Sequence, residues 1–391
     1  MRRITVFGAT GSVGESTLDL IARRDDLSVV ALTGGRQVAR LAELARAHRA
    51  ELAVTAHEEC YRPLKDALAG SGIEVAAGPA AVVEAGYRPA DWAMSAIVGA
   101  AGLAPGFAAL SQGRTVALAN KESLVTAGPL LLAEARAHGA TLLPVDSEHS
   151  AVFQALVGEE IAAVETVTLT ASGGGLRDWP LERLAAATVA DAASHPNWAM
   201  GQRITIDSAS MFNKAMEVIE AREFFGLDPA QIRVLIHPQS LVHALVAFRD
   251  GAVMAHLGSP DMRHPIGYAL NWPDRAVLPV ARLDLARAGQ LDFAAPDLRR
   301  YPALALAQAV MRAGGAAGAV FNAAKEVALD HFISGEIGFL DMAAAVEDTL
   351  DHYESHGGLG NAPKSLQDVL DIDMAARRCA VEMIRARGRA A

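Results

Sequence analysis

A glycine-rich turn near the start of the chain constrains the fold of this sequence more than any other feature. A β-branched run at residues 4–7 leads directly into Gly8-Ala9-Thr10-Gly11-Ser12-Val13-Gly14, and an amphipathic stretch follows at residues 14–23. Apolar runs and amphipathic stretches alternate up to about residue 145. The later strands are expected at residues 27–32, 52–55, 92–98, 115–119 and 141–145, and the later helices at residues 38–48 and 124–138. This alternation predicts an α/β fold with a Rossmann-type, doubly wound parallel sheet.

After residue 145 the pattern changes, and the remaining chain divides into three parts. Residues 146–274 combine extended runs with one strong helix at residues 210–225, which predicts a central α+β domain. The extended runs are at residues 164–170, 233–236, 241–248 and 252–257. Residues 275–302, punctuated by Pro and Asp, indicate a connector, and residues 303–391 predict a C-terminal helical bundle. Together with a Rossmann-type domain at residues 1–145, this division suits a chain of 391 residues.

Composition excludes several classes of protein. Hydrophobic residues make up 51% of the chain and charged residues 20%, so intrinsic disorder is excluded as a global description. The formal net charge of −10 argues against nucleic acid or an anionic membrane as a partner. Cys60 and Cys379 are too far apart in sequence to indicate a disulfide framework or a cysteine zinc site. We therefore expect a protein of the reducing cytoplasm.

One uncharged stretch imitates a membrane span. Residues 92–113 contain no charge and are long enough to cross a bilayer, but they include four glycines, seven alanines and Pro105. Small residues and helix breakers contribute little transfer free energy, so we expect a buried strand and tight loops instead. The N-terminal residues also lack the basic and apolar regions of a signal peptide.

The turn at residues 8–14 has the order of strand, turn and helix that binds a dinucleotide. Backbone amides of such a turn and the start of its helix bind a pyrophosphate, although a glycine turn without ligand is the simpler alternative. The second strand ends in Thr33-Gly34-Gly35-Arg36-Gln37, without the carboxylate that binds the ribose 2′-hydroxyl of NADH. Arg36 suits a 2′-phosphate, which predicts NADPH; the alternative is that Arg36 is a solvated surface residue.

Three carboxylates indicate a site for a hard divalent cation. Asp146 and Glu148 follow a predicted strand end, and their spacing places both on one side of an extended segment. Glu217 lies on the predicted central helix. Carboxylates without a neighbouring cysteine favour Mg²⁺ or Mn²⁺, whereas each residue taken singly fits a surface or capping group. Glu220, one turn further on, is expected to be solvated.

Hydrogen-bond donors for a phosphate monoester occur near the same helix. Ser208, Asn213 and Lys214 lie around its start, and Asn213, Lys214 and Glu217 share one face at i+4 and i+3 spacings. Ser172, in a glycine-bounded turn, is a further donor. Residues 195–201 (His-Pro-Asn-Trp-Ala-Met-Gly) suit a lid that closes over a ligand, with a packed surface loop as the alternative.

Taken together, these segments resemble the 1-deoxy-D-xylulose 5-phosphate reductoisomerase family. The matching segments run in order from end to end of the chain: residues 8–14, 119–123, 144–150, 169–174, 195–201, 207–220, 236–240, 258–263 and 322–326. The set as a whole is far more specific than the glycine turn alone. The resemblance implies an NADPH-dependent oxidoreductase that rearranges and reduces 1-deoxy-D-xylulose 5-phosphate to 2-C-methyl-D-erythritol 4-phosphate. The implied mechanism is a metal-assisted retro-aldol and aldol isomerisation followed by hydride transfer.

The resemblance also implies a role for individual residues. It assigns metal binding to Asp146, Glu148 and Glu217, and catalysis to Lys121, Glu148 and His195. The implied substrate contacts are Lys121, Ser147, Glu148, Ser172, His195, Trp198, Ser208, Asn213, Lys214 and Glu217. The implied NADPH contacts are Thr10, Gly11, Ser12, Val13, Gly35, Arg36, Gln37, Asn120, Glu122 and Gly201. A homodimer is implied as well, and the runs at residues 241–248 and 252–257 are candidates for its interface.

Two other functions remain compatible with the glycine turn. A semialdehyde or acyl-phosphate reductase needs a thiolate nucleophile, and neither Cys60 nor Cys379 is well placed for that chemistry. A non-catalytic dinucleotide sensor would have no use for the three carboxylates. His149, His243 and His256 are expected to be hydrogen-bonded structural residues.

Overall fold

The computed structural model describes residues 1–194 and 201–390. The chain forms two compact units, each with its own buried core. The first unit consists of Met1–Ser123, Leu131–Ser150 and Asp261–Ala281, and the second of Leu124–Leu130, Ala151–Pro260 and Arg282–Ala391. The sequence boundaries after residues 145, 274 and 302 stay a prediction.

Eleven strands are found in the described part of the chain. They are β1 (Arg2–Phe7), β2 (Leu27–Gly34), β3 (Leu52–Thr55), β4 (Glu74–Ala77), β5 (Trp92–Ser95), β6 (Thr115–Leu118), β7 (Thr141–Pro144), β8 (Val164–Ala171), β9 (Ile232–Ile236), β10 (Val242–Phe248) and β11 (Val253–Leu257).

Sixteen α-helices accompany them in the same described ranges. They are α1 (Ser12–Ile21), α2 (Val38–Ala47), α3 (Tyr61–Ala67), α4 (Pro79–Tyr87), α5 (Leu103–Leu110), α6 (Lys121–Ala137), α7 (Ser147–Ala155), α8 (Val189–Ala192), α9 (Gln202–Ala209), α10 (Phe212–Phe225), α11 (Arg263–Asn271), α12 (Leu285–Ala288), α13 (Pro302–Ala313), α14 (Ala317–Ile333), α15 (Asp341–Ser355) and α16 (Leu366–Ala390).

The first unit is built on a seven-stranded parallel sheet. Its strand order is β4-β3-β2-β1-β5-β6-β7, and every neighbouring pair is parallel. The order reverses at β1, which is the topological switch point where such sheets bind ligands. The interior strands are mainly apolar because both of their faces are covered, as in Ile4, Val6 and Trp92, each of which is fully buried. The predicted Rossmann-type sheet is confirmed.

The second unit contains a four-stranded mixed sheet and most of the long helices. Its strand order is β11-β10-β8-β9, with β8 and β9 parallel and the other pairs antiparallel. The helices α10, α13 and α14 bury apolar faces in one core with β8 and β10. The α+β region and the C-terminal helices at α13–α16 are confirmed.

The uncharged stretch at residues 92–113 contains the expected buried strand, β5, but it also contains a helix, α5, where tight loops were expected. Pro105 is compatible with α5 because it lies in the first turn of that helix. Strand β5 is followed by a turn at Gly99 with φ of +80°, and α5 begins at Leu103. In the described ranges, no helix has the length and apolar character needed to cross a membrane.

The predicted helix at residues 210–225 is shorter than expected. Ser210 ends α9, and Met211 adopts a left-handed conformation with φ of +64° before α10 begins at Phe212. Met211 is almost fully buried beside Ala171 and Ile236, so packing outweighs the cost of that conformation. The break places Ser208 at the end of one helix and Asn213 at the start of the next.

Candidate functional site

The glycine turn after β1 is closely packed against its neighbours. Gly8 has φ of +79°, and a Cβ atom there would lie 2.5 Å from the carbonyl oxygen of Ala96. A Cβ atom on Gly14 would lie 2.2 Å from the Gly8 oxygen. The Gly8 amide donates to Thr33 Oγ1 at 3.1 Å, which fastens the turn to β2. Only glycine therefore fits at positions 8 and 14.

The start of α1 is open to solvent at the carboxyl edge of the sheet. Gly11 is its N-cap and makes no side-chain cap, and Gly11 and Ser12 are exposed. The first amides of a helix have no partner within the helix, so they are available to an anion. Thr10, Val13 and Gly35 are half-buried at the same edge. The structure thus places the predicted pyrophosphate-binding turn at the switch point of the sheet.

Arg36 lies beyond the end of β2 and is 66% exposed. Its Nη1 donates to Glu59 Oε1, and Gln37 beside it is also exposed. The pKa of the Glu59 carboxyl is lowered, first by a hydrogen bond from its own backbone and then by Arg36. The guanidinium is therefore accessible to a 2′-phosphate, which would compete with Glu59 for it.

Asn120 connects the loop after β5 to the start of α6. Its Nδ2 donates to the Ile97 oxygen at 2.6 Å and to the Gly99 oxygen at 3.0 Å, and its Oδ1 caps α6 by accepting from the Ser123 amide at 2.9 Å. Nδ2 also donates to Glu122 Oε2 at 2.9 Å. Asn120 and Glu122 are both buried, so their protein contacts set the shape of the loop at this edge.

Lys121 and Asp146 form an ion pair between the ends of β6 and β7. The side chains are only 14% and 10% exposed. Asp146 Oδ1 also accepts from the backbone amides of Glu148 at 3.1 Å and His149 at 3.3 Å, which makes it an N-terminal cap of α7. Ser147 Oγ donates to Glu148 Oε2 at 2.5 Å. Asp146 therefore has the capping role that the sequence allows as an alternative, and it also forms the ion pair with Lys121.

The predicted extended geometry of this motif is wrong, because α7 begins at Ser147. Asp146 and Glu148 nevertheless each offer a carboxylate oxygen within 4.8 Å of the other. A helix start aims its amides at the Asp146 carboxylate, which accounts for the helical conformation at Ser147. His149 is fully buried, with Nδ1 3.3 Å from Asp146 Oδ1, as expected of a structural histidine.

In the second unit, the first two turns of α10 carry three polar side chains on one face. Asn213 Nδ2 donates to Glu217 Oε1 at 2.5 Å, and Lys214 forms an ion pair with Glu217 Oε2. The predicted i+4 and i+3 face is therefore present. Lys214 and Glu217 are almost completely buried. The expectation for Glu220 is wrong: it is buried, because α10 packs on several sides.

A second turn, rich in glycine, lies against the end of α9. Gly173 and Gly174 have φ of +89° and +70°, and Ser172 Oγ accepts from the Gly174 amide at 3.1 Å. A Cβ atom on Gly174 would lie 2.5 Å from Ala209 Cα and 2.8 Å from the Ser208 oxygen. This close approach brings Ser172 and Ser208 to the same part of the second unit.

Two side chains that the sequence analysis did not single out support this turn. Arg177 Nη1 donates to the Ser172 oxygen at 2.8 Å, and the Tyr301 hydroxyl donates to the Gly173 oxygen at 3.0 Å. Burial raises the pKa of Tyr301 to about 12, so its hydroxyl remains a donor over the physiological range. Their sequence signal is weak, since neither belongs to a motif that carries chemistry.

The last predicted contact residues fall in the segment 195–201, and the cysteine considered for the alternative function lies on α16. His195 and Trp198 lie outside the described residues. Gly201 is exposed and caps the start of α9. Cys379 is buried on α16, and burial raises the pKa of its thiol, which disfavours the thiolate that a nucleophile requires.

Models of one protein family match three stretches of the chain. The model described as 1-deoxy-D-xylulose 5-phosphate reductoisomerase matches residues 4–128, and that of the C-terminal domain of the same enzyme matches residues 142–225. A further model, the DXP reductoisomerase C-terminal domain, matches residues 257–379.

Curated relatives and solved structures with the same name match nearly the whole chain. The enzyme of Ruegeria pomeroyi is 68% identical over 97% of this chain and 96% of its own, and that of Jannaschia sp. is 67% identical over 97% of each. The Zymomonas mobilis enzyme in complex with NADPH is 48% identical, with a TM-score of 0.92 over 98% of this chain and 99% of that one. A structure of the enzyme with NADPH, fosmidomycin and magnesium is 38% identical, with a TM-score of 0.94 over 98% of each chain. This chain belongs to the 1-deoxy-D-xylulose 5-phosphate reductoisomerase family.

Proposed function

We propose that the protein catalyses the NADPH-dependent rearrangement and reduction of 1-deoxy-D-xylulose 5-phosphate to 2-C-methyl-D-erythritol 4-phosphate. One observation carries the proposal: a relative with this name is 68% identical over 97% of the chain. The glycine turn, the Lys121–Asp146 pair and the polar face of α10 give the chain the groups that this reaction needs. Neither alternative, a thiolate-dependent reductase or a sensor, is favoured by these similarities.

The proposed NADPH site uses the carboxyl edge of the parallel sheet. Amides at the start of α1 bind the pyrophosphate, and Arg36 binds the 2′-phosphate. Thr10, Gly11, Ser12, Val13, Gly35, Gln37, Asn120, Glu122 and Gly201 complete the proposed contacts. The solved relatives in complex with NADPH support this assignment.

The carboxylates fit a hard divalent cation, Mg²⁺ or Mn²⁺. Asp146 and Glu148 offer neighbouring carboxylate oxygens, and Glu217 offers another that is buried with limited access to water. We assign all three as ligands, and a relative solved with magnesium supports a cation of this class. When bound, such a cation polarises a carbonyl and lowers the pKa of a neighbouring hydroxyl, which eases cleavage and formation of the adjoining carbon–carbon bond.

The protein side chains bind and orient the sugar phosphate. Ser172, Ser208, Asn213 and Lys214 are the proposed ligands of the phosphate. Lys121, Ser147 and Glu148 lie together at the ends of β6 and β7, where they orient the hydroxyl groups of the substrate. We propose that His195 binds the sugar-phosphate backbone and that Trp198 covers the substrate and excludes water from it.

Oxidation of NADPH on addition of 1-deoxy-D-xylulose 5-phosphate and Mg²⁺ or Mn²⁺ tests the proposal directly. Purified protein that leaves the nicotinamide absorbance unchanged under these conditions would refute it. We expect Glu217→Gln to abolish metal-dependent turnover and to weaken Mn²⁺ binding measured by calorimetry, with NADPH affinity unchanged. Glu165→Gln, on an exposed position of β8, is the matched control. Equal turnover in the two variants would contradict the metal assignment.

We further propose that the protein is a homodimer that pairs through β11. This strand is at an edge of the mixed sheet, and Val253 and Met254 on it are 58% and 37% exposed. Light scattering should give about twice the chain mass of 40.9 kDa. Val253→Asp combined with Met254→Glu should reduce the measured mass to that of a single chain. Val157→Asp, also at an exposed position, should leave the dimer mass unchanged. A monomeric wild-type protein would contradict the proposal.

A cytoplasmic location is also proposed. Cys60 and Cys379 are both free thiols, which suits a reducing compartment. Fractionation of the cells that produce the protein tests this, and recovery of the activity with the periplasmic or membrane fraction would contradict it.

A further inference from the structure

A buried ion pair connects α9 and α14 next to the proposed phosphate site. Lys325 Nζ donates to Asp207 Oδ2 at 2.9 Å, and the two side chains are 6% and 12% exposed. Ala323, Ala324 and Ala328 around Lys325 on α14 are completely buried. Burying two charges has a large desolvation cost, so apolar residues in place of the pair would stabilise the protein about equally well. The pair therefore calls for a role other than stability.

Asp207 immediately precedes Ser208 in the last turn of α9. Consecutive residues on a helix point about 100° apart, so Asp207 is directed to α14 while Ser208 is directed elsewhere. On another side of the same turn, Gly174 approaches Ala209 and Ser208 too closely for any side chain. The end of α9 is thus fixed from two directions, by Lys325 and by the turn that carries Ser172.

The position of α9 also determines the start of α10. Only Ser210 and the left-handed Met211 separate the two helices, and the Ser210 hydroxyl donates back to the Ile206 oxygen at 2.9 Å. Such a short and buried connection transmits a displacement of α9 to Asn213 and Lys214. Three of the four proposed phosphate ligands therefore depend on where α9 ends.

We propose that Lys325 and Asp207 are positioning residues for the phosphate site. The pair fixes the end of α9 and, through it, Ser208, Asn213 and Lys214. Neither side chain contacts the phosphate in this proposal. Asp207 Oδ1 finds no hydrogen-bond partner among the described residues, so the negative charge of Asp207 is compensated by Lys325 at Oδ2. This inference rests on the proposed function, which assigns the phosphate to these ligands.

The chain offers a matched control on the same two helices. Arg203 of α9 pairs with Asp330 of α14, but these side chains are 46% and 58% exposed. An exposed pair of this kind contributes little to the position of a helix. Removing the exposed pair tests whether the phosphate site depends on every contact between α9 and α14 or on the buried pair alone.

Steady-state kinetics of Lys325→Met tests the proposal. We expect KM for 1-deoxy-D-xylulose 5-phosphate and Kd for fosmidomycin, a ligand of a solved relative, to rise about tenfold or more, because small misplacements of binding groups are costly. NADPH affinity should stay within about twofold of wild type, and Lys325→Arg should recover part of the loss. Arg203→Ala should keep KM within about twofold of wild type. Equal KM values for Lys325→Met and Arg203→Ala would overturn the proposal.

The double variant Asp207→Asn with Lys325→Met covers the case in which Lys325→Met does not fold. It removes both charges of the pair, so it should fold better than Lys325→Met, but it lacks the ion pair and should retain the high KM. A wild-type KM in the double variant would overturn the proposal.

The affinity for inorganic phosphate, measured by calorimetry, separates the positioning proposal from the proposed function. If the wild-type protein does not turn over the sugar phosphate, the proposed function fails, whereas a phosphate affinity unaffected by Lys325→Met refutes the positioning role.

Discussion

We propose that the preference between the two nicotinamide dinucleotides depends on Arg36. We expect Arg36→Ala to reduce the preference for NADPH over NADH by about ten- to a hundredfold, since a charge-assisted hydrogen bond to phosphate contributes about 1.5–3 kcal/mol. The measurement is kcat/KM with each dinucleotide.

Glu59→Gln provides the complementary test of the same site. It removes the carboxylate that pairs with Arg36, so NADPH affinity should be equal or higher. An unchanged ratio of the two dinucleotides in Arg36→Ala would mean that the arginine is a surface residue without this role.

Glu223 on α10 makes the stability depend on pH. Burial raises the pKa of its carboxyl, and Arg222 offsets this only in part. The folded state therefore binds this proton more tightly than the unfolded state does, and stability is lost as the pH rises through the two pKa values. We expect Glu223→Gln to raise Tm near about pH 8 and to lose this advantage near about pH 4. Glu165→Gln is the exposed control, and an advantage that grows in acid would contradict the assignment.

Single buried charges were the residues hardest to predict from the sequence. The spacing of Asn213, Lys214 and Glu217 predicted their common face, because neighbours on a helix follow from periodicity alone. Burial of Glu220 and the pairing of Lys325 with Asp207 depend on which other elements pack against α10 and α14. The available signal for Lys325 is its position directly after a mainly apolar stretch, residues 316–324, where a lysine needs a buried partner.

At the scale of elements, long periodic segments were predicted well and short irregular ones were not. The strand β4 was missed because its four residues, Glu-Val-Ala-Ala, carry little β-branched character. The start of α7 was assigned to an extended segment, since capping by Asp146 is visible only once the helix is known. The break at Met211 was invisible because an apolar residue in a left-handed conformation is rare, and packing enforces it here.

The close approach of α14 to α6 depends on Gly318. A Cβ atom at this position would lie 1.9 Å from the Val125 oxygen, next to the point where Ala127 departs from helical dihedral angles. A backbone oxygen cannot move aside as a side chain does, so we expect Gly318→Ala to reduce the free energy of unfolding by about 3 kcal/mol or more. Chemical denaturation measures this.

Gly388 is the matched control for that substitution. It lies on the exposed part of α16 with open space around it, and alanine favours a helix more than glycine does. Gly388→Ala should therefore leave the stability unchanged or raise it by up to about 1 kcal/mol. A Gly318→Ala variant as stable as Gly388→Ala would show that the helices separate without cost.

For the whole molecule, two compact units with separate cores suggest two unfolding transitions. In calorimetry we expect Gly14→Ala to lower one transition and Gly318→Ala to lower the other. NADPH at about 100 times its Kd should stabilise the unit with the glycine turn by about 2.7 kcal/mol. A single transition shifted equally by both variants would contradict this expectation.

Net charge is a limited guide at this scale. The value of −10 describes the solvent-facing surface, whereas the proposed anionic ligands meet Arg36, Lys121, Lys214 and the starts of helices. The overall balance therefore does not predict affinity for a phosphorylated substrate.

The discontinuous first unit has a consequence for synthesis on the ribosome. All seven strands of its sheet are complete by residue 150, but α11, which packs beside β6 and β7, follows only after Asp261. Trp92 Nε1 donates to the Ala269 oxygen at 3.1 Å, so this indole has no partner until a residue 177 positions downstream is synthesised. About 110 residues separate the end of the sheet segment at Ser150 from Asp261. At about 5–20 residues per second, the nascent sheet exposes apolar surface for roughly 5–20 seconds. Products of premature termination before α11 should accordingly be prone to aggregation and dependent on chaperones.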